Sequence, residues 1–313
     1  MRLSRRGFTF IEMIFVIVIL GIIAKYGVEF LAQAYRNYLY EEIINKLANE
    51  SSNAVELIAK RLQYRIRSSA IVRKGDSDDF RALEGFSSTG SSAEDYNVLE
   101  WIGYDIEGFR GDENATPNWS GIIDKEAFMD DHTYIISPDS NLDEANNTIY
   151  ALSNGNSSIA DAALYLFSAE NDINSSFGWY GGDTIDDQSL KYAMHPIKEH
   201  NETAFESNLG DFNPLYDDIK AKGEWDARYY LAWSAYAVSL EDHDLKFYYD
   251  YQPWQGEKFS DGKSALIMSN VTTFKMIQKE GVIKIQVCVS NDMNGSGTMN
   301  IGGFALCKEK TIY

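Results

Sequence analysis

Residues 1–24 read MRLSRRGFTFIEMIFVIVILGIIA, an apolar run interrupted by one carboxylate, Glu12. Arg2, Arg5 and Arg6 come first, then Gly7; from Phe8 to Ala24 only Thr9 and Glu12 are polar. A charged side chain at the centre of a membrane helix costs about 2.5–3.5 kcal/mol or more, so an acid kept there is a functional candidate by default. The apolar stretch from Phe8 to Ala24 covers about 26 Å as a helix, slightly less than the ~30 Å hydrocarbon core. Lys25 can snorkel and Tyr26 can sit in the interface, which lengthens the usable span. The leading arginines place the N-terminus in the cytoplasm, and the chain beyond residue 30 on the other side.

The run Arg-Arg-Gly-Phe-Thr-Phe-Ile-Glu ahead of an apolar segment resembles the class III signal of type IV prepilins and type II secretion pseudopilins. An ordinary secretory signal loses its apolar core at cleavage. The resemblance implies a cut after Gly7 by a prepilin peptidase, methylation of the new amine on Phe8, and retention of the apolar core for assembly. It also implies that Glu12 pairs with the Phe8 amine of its own or a neighbouring subunit, which sets the register as the subunit leaves the bilayer. Such a pair is physically sound, because opposite charges attract far more strongly in a low dielectric than in water. The implied partners are the peptidase, other pilin or pseudopilin subunits, and an inner-membrane assembly platform.

Beyond the membrane, Leu31, Tyr35, Tyr38, Ile43, Leu47, Val55, Ile58, Leu62 and Ile66 recur at helical steps between polar residues. No proline lies between Phe8 and Ile66, so one helix over about residues 9–68 is predicted, with Gly21 and Gly27 as its weak points. Many family members have a proline where this chain has Glu29. The chain divides into a cleaved leader (1–7), a transmembrane and assembly segment (8–30), a periplasmic part of the helix (31–68) and a globular head (69–313). In the head, short apolar runs (VLEWIGY, TYIIS, TIYAL, AALYLF) alternate with polar loops as short strands or helices. YYLAWSAYAVSL, DLKFYYDYQ, VTTFKMIQ and VIKIQVCVS read as consecutive strands, with Lys279-Glu280-Gly281 as a hairpin turn. The predicted fold class is α+β: a long N-terminal helix packed on an antiparallel sheet in an enlarged pilin-like head. This order, the Arg-rich helix end AKRLQYRIRSS and the C-terminal hairpin are similar to PilW-like minor pilins and J-type minor pseudopilins.

Cys288 and Cys307 are the only cysteines, and an even count in an exported body reads as a disulfide; two free buried thiols are the alternative. A net charge of −19 repels phosphates, and no basic stripe with interleaved aromatics appears, so nucleic acid is not expected as a partner. His132, His195, His200 and His243 fall in no metal or triad spacing and read as surface or loop residues. The loop 291–297 only faintly resembles a calcium loop. No cofactor, metal or catalytic constellation is expected: the chain reads as a structural subunit, not an enzyme. Within that class it is a minor pilin-like subunit that assembles into or primes a type IV pilus. The alternatives are a minor pseudopilin of a type II secretion system and a tip adhesin that binds through exposed tryptophans.

One further pattern is an excess of the bacterial N-glycosylation pattern Asp/Glu-x-Asn-x-Ser/Thr. It occurs at Asn114, Asn146, Asn174, Asn201 and Asn294, against about 0.4 occurrences expected from composition. All five fall in segments read as loops, where acceptors must lie.

Overall fold

In the computed structural model the described residues are 7, 9–86, 95–111, 117–167, 179, 194–223, 225–290 and 305–313. The first helix, α1 (Phe10–Leu62), is unbroken across Gly21 and Gly27 and about 80 Å long. Every described side chain from Thr9 to Tyr38 is exposed, and burial begins in earnest at Leu47. Its N-terminal part is therefore an unpartnered apolar rod, with a mean hydropathy of 2.3 over its most apolar window. Only its C-terminal half packs on the head.

The helix ends at Leu62 rather than near residue 68. Beyond it the backbone is recruited by the sheet: Ile66 N–H donates to Ile102 O at 2.9 Å, and Tyr104 N–H donates to Tyr64 O at 3.0 Å. Arg65 holds this corner. It is buried, and its guanidinium donates to Leu62 O at 2.9 Å and to Gly281 O at 2.7 Å. The Arg-rich helix end thus fastens one hairpin of the head to the last carbonyls of the stalk.

The strands after this corner are β1 (Ile71–Arg73), β2 (Phe80–Ala82) and β3 (Val98–Gly103). Then come α2 (Ile106–Arg110), α3 (Lys125–Asp130), β4 (Tyr134–Ile136), α4 (Leu142–Leu152), β5 (Ala163–Leu166), β6 (Met194–Asn201), β7 (Ala204–Ser207), α5 (Asn213–Lys222) and β8 (Tyr229–Ala232). The chain closes with β9 (Ser234–Glu241), β10 (Asp244–Tyr251), β11 (Lys263–Met268), β12 (Val271–Lys279), β13 (Val282–Ser290) and β14 (Ala305–Ile312). The central sheet has the order β11-β10-β9-β3-β1-β2, and β12-β13-β14 form a second sheet. Their inner faces and the C-terminal half of α1 share one core, built around Ile58, Leu62, Trp101, Phe274 and Ile285. All the described pairings between these strands are antiparallel.

β3 and β9 are neighbours in the central sheet, so residues 104–233 form an insertion between them. This insertion carries a five-stranded sheet, β4-β7-β6-β5-β8, and its own core around Trp119, Phe128, Phe205 and Phe212. The run YYLAWSAYAVSL is two strands rather than one. The chain leaves the inserted sheet after Ala232 and joins the central sheet at Ser234, with Trp233 buried at the crossing. TIYAL belongs to α4, whose Asn141 cap accepts the Glu144 N–H at 3.1 Å and whose Leu142, Ala145 and Ile149 face inward. The hairpin at Glu280-Gly281 closes with both residues at positive φ (52° and 80°), as a two-residue turn of primed type requires.

Cys288 and Cys307 face each other across β13 and β14 and are joined by a disulfide. It ties the last strand, which packs on α1, to the middle of its sheet.

Candidate assembly segment and head cavity

Glu12 occupies the third position of α1, so its side chain can reach back over the helix start. Its carboxylate accepts the Thr9 N–H at 3.4 Å and the Thr9 hydroxyl at 3.3 Å. An acid here also meets the positive end of the helix dipole. The carboxylate is thereby held at the N-terminal end of the rod, amid exposed apolar residues such as Phe10, Ile11 and Phe15. Gly7 is exposed, and a Cβ added there would meet nothing within 4 Å; Phe8 lies outside the described residues.

A second feature lies where the stalk meets the head. A cavity of about 280 Å³ is bounded by Leu57 and Arg61 of α1, Glu107 of α2, Leu152 of α4, and Trp233, Tyr236, Phe247 and Tyr249 below. Three of these rings stack across β9 and β10: Tyr236 on Phe247 at 5.7 Å and Phe247 on Tyr249 at 5.9 Å. Gly103 makes room for this ladder, since a Cβ there would come within 2.5 Å of the Tyr236 ring. At the mouth Arg61 pairs with Glu107 at 3.5 Å and lies 5.9 Å above Tyr236. Sequence reading missed this site because alternating aromatics on a strand look the same whether they line a core or a cavity.

The tryptophans are not an exposed platform. Trp101, Trp119 and Trp254 are fully buried, Trp179 and Trp233 nearly so, and Trp225 half-buried. Nor are the histidines all surface residues. His195 sits inside β6, 1% exposed, with Nε2 3.0 Å from Ser207 Oγ and its ring against Phe212. Ile197, two places further along β6, lies in the inserted core, and the alternation of the strand puts His195 on that same inward face. Among the described residues no group of three or more His, Cys, Asp or Glu could hold a metal ion. The loop 291–297 lies outside the described residues.

Two buried groups give the head opposing pH terms. Asp105 is 2% exposed, caps α2 by accepting the Gly108 N–H at 3.1 Å, and accepts the Trp119 indole N–H at 3.2 Å. Burial raises its pKa to about 6, with the two hydrogen bonds opposing. Burial lowers that of His195 to about 4. Folded Asp105 keeps its proton where the unfolded chain has lost it, so its contribution is full below about pH 4 and is lost as pH rises towards 6. Folded His195 refuses the proton that the unfolded chain accepts, so its contribution is full above about pH 6.5 and is lost as pH falls towards 4. Each shift is worth about 3 kcal/mol, and the two largely cancel. The His195→Gln variant isolates one of them. Between pH 6.5 and 4, wild type is expected to lose about 3 kcal/mol relative to that variant, read as the difference in urea midpoints. A constant difference would contradict the buried neutral imidazole.

Residues 2–24 match the prokaryotic N-terminal methylation motif. With the long apolar helix beyond it, this stretch fits a class III prepilin-type signal. The match supports a type IV pilin- or pseudopilin-like precursor, a membrane-anchored structural subunit that is processed by a prepilin peptidase and assembles with other pilins. No curated protein and no solved structure matches the chain.

Proposed function

We propose that this chain is a minor pilin-like subunit that is cut after Gly7, methylated on Phe8, and assembled into, or made to prime, a type IV pilus. Residues 8–30 act as membrane anchor and later as filament core, residues 31–68 connect, and the head from residue 69 faces the periplasm or, once assembled, the exterior. The observation that carries this reading is the exposed apolar rod from Phe10 to Tyr38, rigidly continuous with a helix that anchors a head. An apolar surface of that extent needs a bilayer or other helices around it. Large heads suit subunits present in few copies. Immunoblotting sheared surface fibres against inner membranes tests the reading: the protein is expected in both. Its confinement to the membrane, with secretion lost on deletion, would instead make it a minor pseudopilin.

The stacked cavity favours a second reading, a tip subunit that binds a saccharide. Aromatic faces beside a carboxylate and a guanidinium suit a ring that carries hydroxyls. Tyr249→Ala would then abolish glycan-array binding of the full chain; an array on which wild type binds no glycan removes this reading.

A further inference from the structure

The five Asp/Glu-x-Asn-x-Ser/Thr segments differ in what the fold does with them. Asn114, Asn174 and Asn294 lie outside the described residues. Asn146 is not in a loop: it sits half-buried on α4, because the amphipathic spacing of Leu142, Ala145 and Ile149 draws the segment into a helix. Its Oδ1 accepts the Ile159 N–H at 2.9 Å, and the hydroxyl of Thr148 accepts from Asn118 Nδ2 at 3.0 Å. Both ends of that acceptor segment are occupied by the fold.

Asn201 is different. It ends β6 at the turn into β7, and Asn201, Glu202 and Thr203 are all exposed. The Thr203 N–H donates to Asn201 Oδ1 at 3.0 Å, and the Thr203 hydroxyl donates to the same oxygen at 3.3 Å. This Asx turn fixes the carbonyl oxygen on Thr203. The Nδ2 amide donates to no described residue. Glu199, the acid two places earlier, lies half-buried on the same strand. The backbone of the turn is pinned from below by Ser137 N–H to Thr203 O at 2.7 Å and Leu142 N–H to Glu202 O at 2.8 Å. A rigid, outward acceptor amide bonded to its own threonine is the arrangement a transferase can engage without unfolding the head.

We propose that Asn201 is the acceptor of an N-linked oligosaccharide, transferred whole from a polyprenyl-pyrophosphate donor. A bond forms between Asn201 Nδ2 and the first sugar's C1, and the C1–O bond to pyrophosphate breaks. The amide gives up one proton, polyprenyl pyrophosphate leaves, and nothing is oxidised or reduced. The proposal rests on export of the head, since such donors are used on the far side of the membrane. It adds a bulky, hydrated group at the β6–β7 turn, at one end of the inserted sheet, which keeps that end free of other subunits.

Mass spectrometry of the protein purified from its own membranes tests it. Trypsin cuts after Lys198 and Lys220, and the peptide 199–220 is expected to be heavier by one oligosaccharide, with residue 146 unmodified. Thr203→Ala and Glu199→Gln, which keep the asparagine, should each reduce the modified fraction at least about tenfold. An unmodified peptide 199–220 from wild type, or a glycan on Asn146 in its place, overturns the assignment whatever the variants do. The same spectrum reads the N-terminus: a chain beginning at Phe8 with bare Asn201 sinks the glycan alone, whereas one beginning at Met1 sinks the exported subunit on which it rests.

Discussion

Glu12→Ala is expected to leave cleavage after Gly7 intact and to reduce the share of subunit found in sheared fibres at least about tenfold. The two steps separate because cleavage reads the residues around Gly7, whereas assembly needs a counter-charge. In the proposed fibre the Phe8 amine lies among apolar helices, and a lone buried cation there is heavily penalised. A tenfold loss corresponds to about 1.4 kcal/mol, modest beside the cost of an unpaired charge in a membrane environment. Removing Glu12 also deletes its bonds to Thr9, but losing one cap costs about 1 kcal/mol and cannot melt a helix that runs from Phe10 to Leu62. The readout is an immunoblot of fibres and membranes with an antibody against the head. Equal incorporation of the variant would remove Glu12 from the assembly mechanism.

The second large effect is expected within the head. Arg73 of β1 and Glu100 of β3 form an ion pair, each side chain 1% exposed. Glu100 also accepts the Tyr251 hydroxyl at 3.1 Å, and Arg73 donates to Ser77 O at 3.0 Å. The pair sits where the central sheet is covered by the insertion, among Ile71, Val98, Ile102 and Trp254. Burial pushes the Glu100 carboxyl up, and the Arg73 guanidinium pulls it back. Glu100→Ala leaves the buried guanidinium without its carboxylate and the Tyr251 hydroxyl without its acceptor, and is expected to cost about 3–5 kcal/mol. That is a large part of the ~5–15 kcal/mol by which a domain is stable. Replacing the group as a unit, with Arg73→Met, Glu100→Leu and Tyr251→Phe together, is expected to recover most of the loss, since no charge or hydroxyl is left unpaired. Urea midpoints followed by tryptophan fluorescence in detergent decide it. A single variant within about 1 kcal/mol of wild type, or a triple variant no better than the single, contradicts this account of the interface.

How much of the molecule is legible in its sequence depends on whether each feature is local. The stalk is readable because an acid five places after Gly7 is expensive in an apolar run, and because nothing in the run breaks a helix. Its end is not, since residues 64–66 keep a helical pattern while the Tyr64 carbonyl and the Ile66 N–H bond to the β3 corner. VLEWIG is plainly a strand, with Leu99 and Trp101 in one core and Val98 and Ile102 in another. Nothing near Glu100 announces its partner on β1, because which strands meet is a property of the assembled sheet. The insertion is hidden for the same reason: β3 pairs with β9 across the whole inserted lobe. The strands of the C-terminal hairpin, whose turn needs two positive φ values, are readable because their pairing is between sequence neighbours.

The central claim is that the chain is shortened at its N-terminus and then used by its new end. Intact and N-terminal peptide mass analysis of the protein extracted from its native membranes tests this most directly. The account predicts a first residue of N-methylated Phe8 with residues 1–7 absent. A mature chain that begins at Met1, or one cut beyond Ala24 with the apolar helix removed, would contradict it.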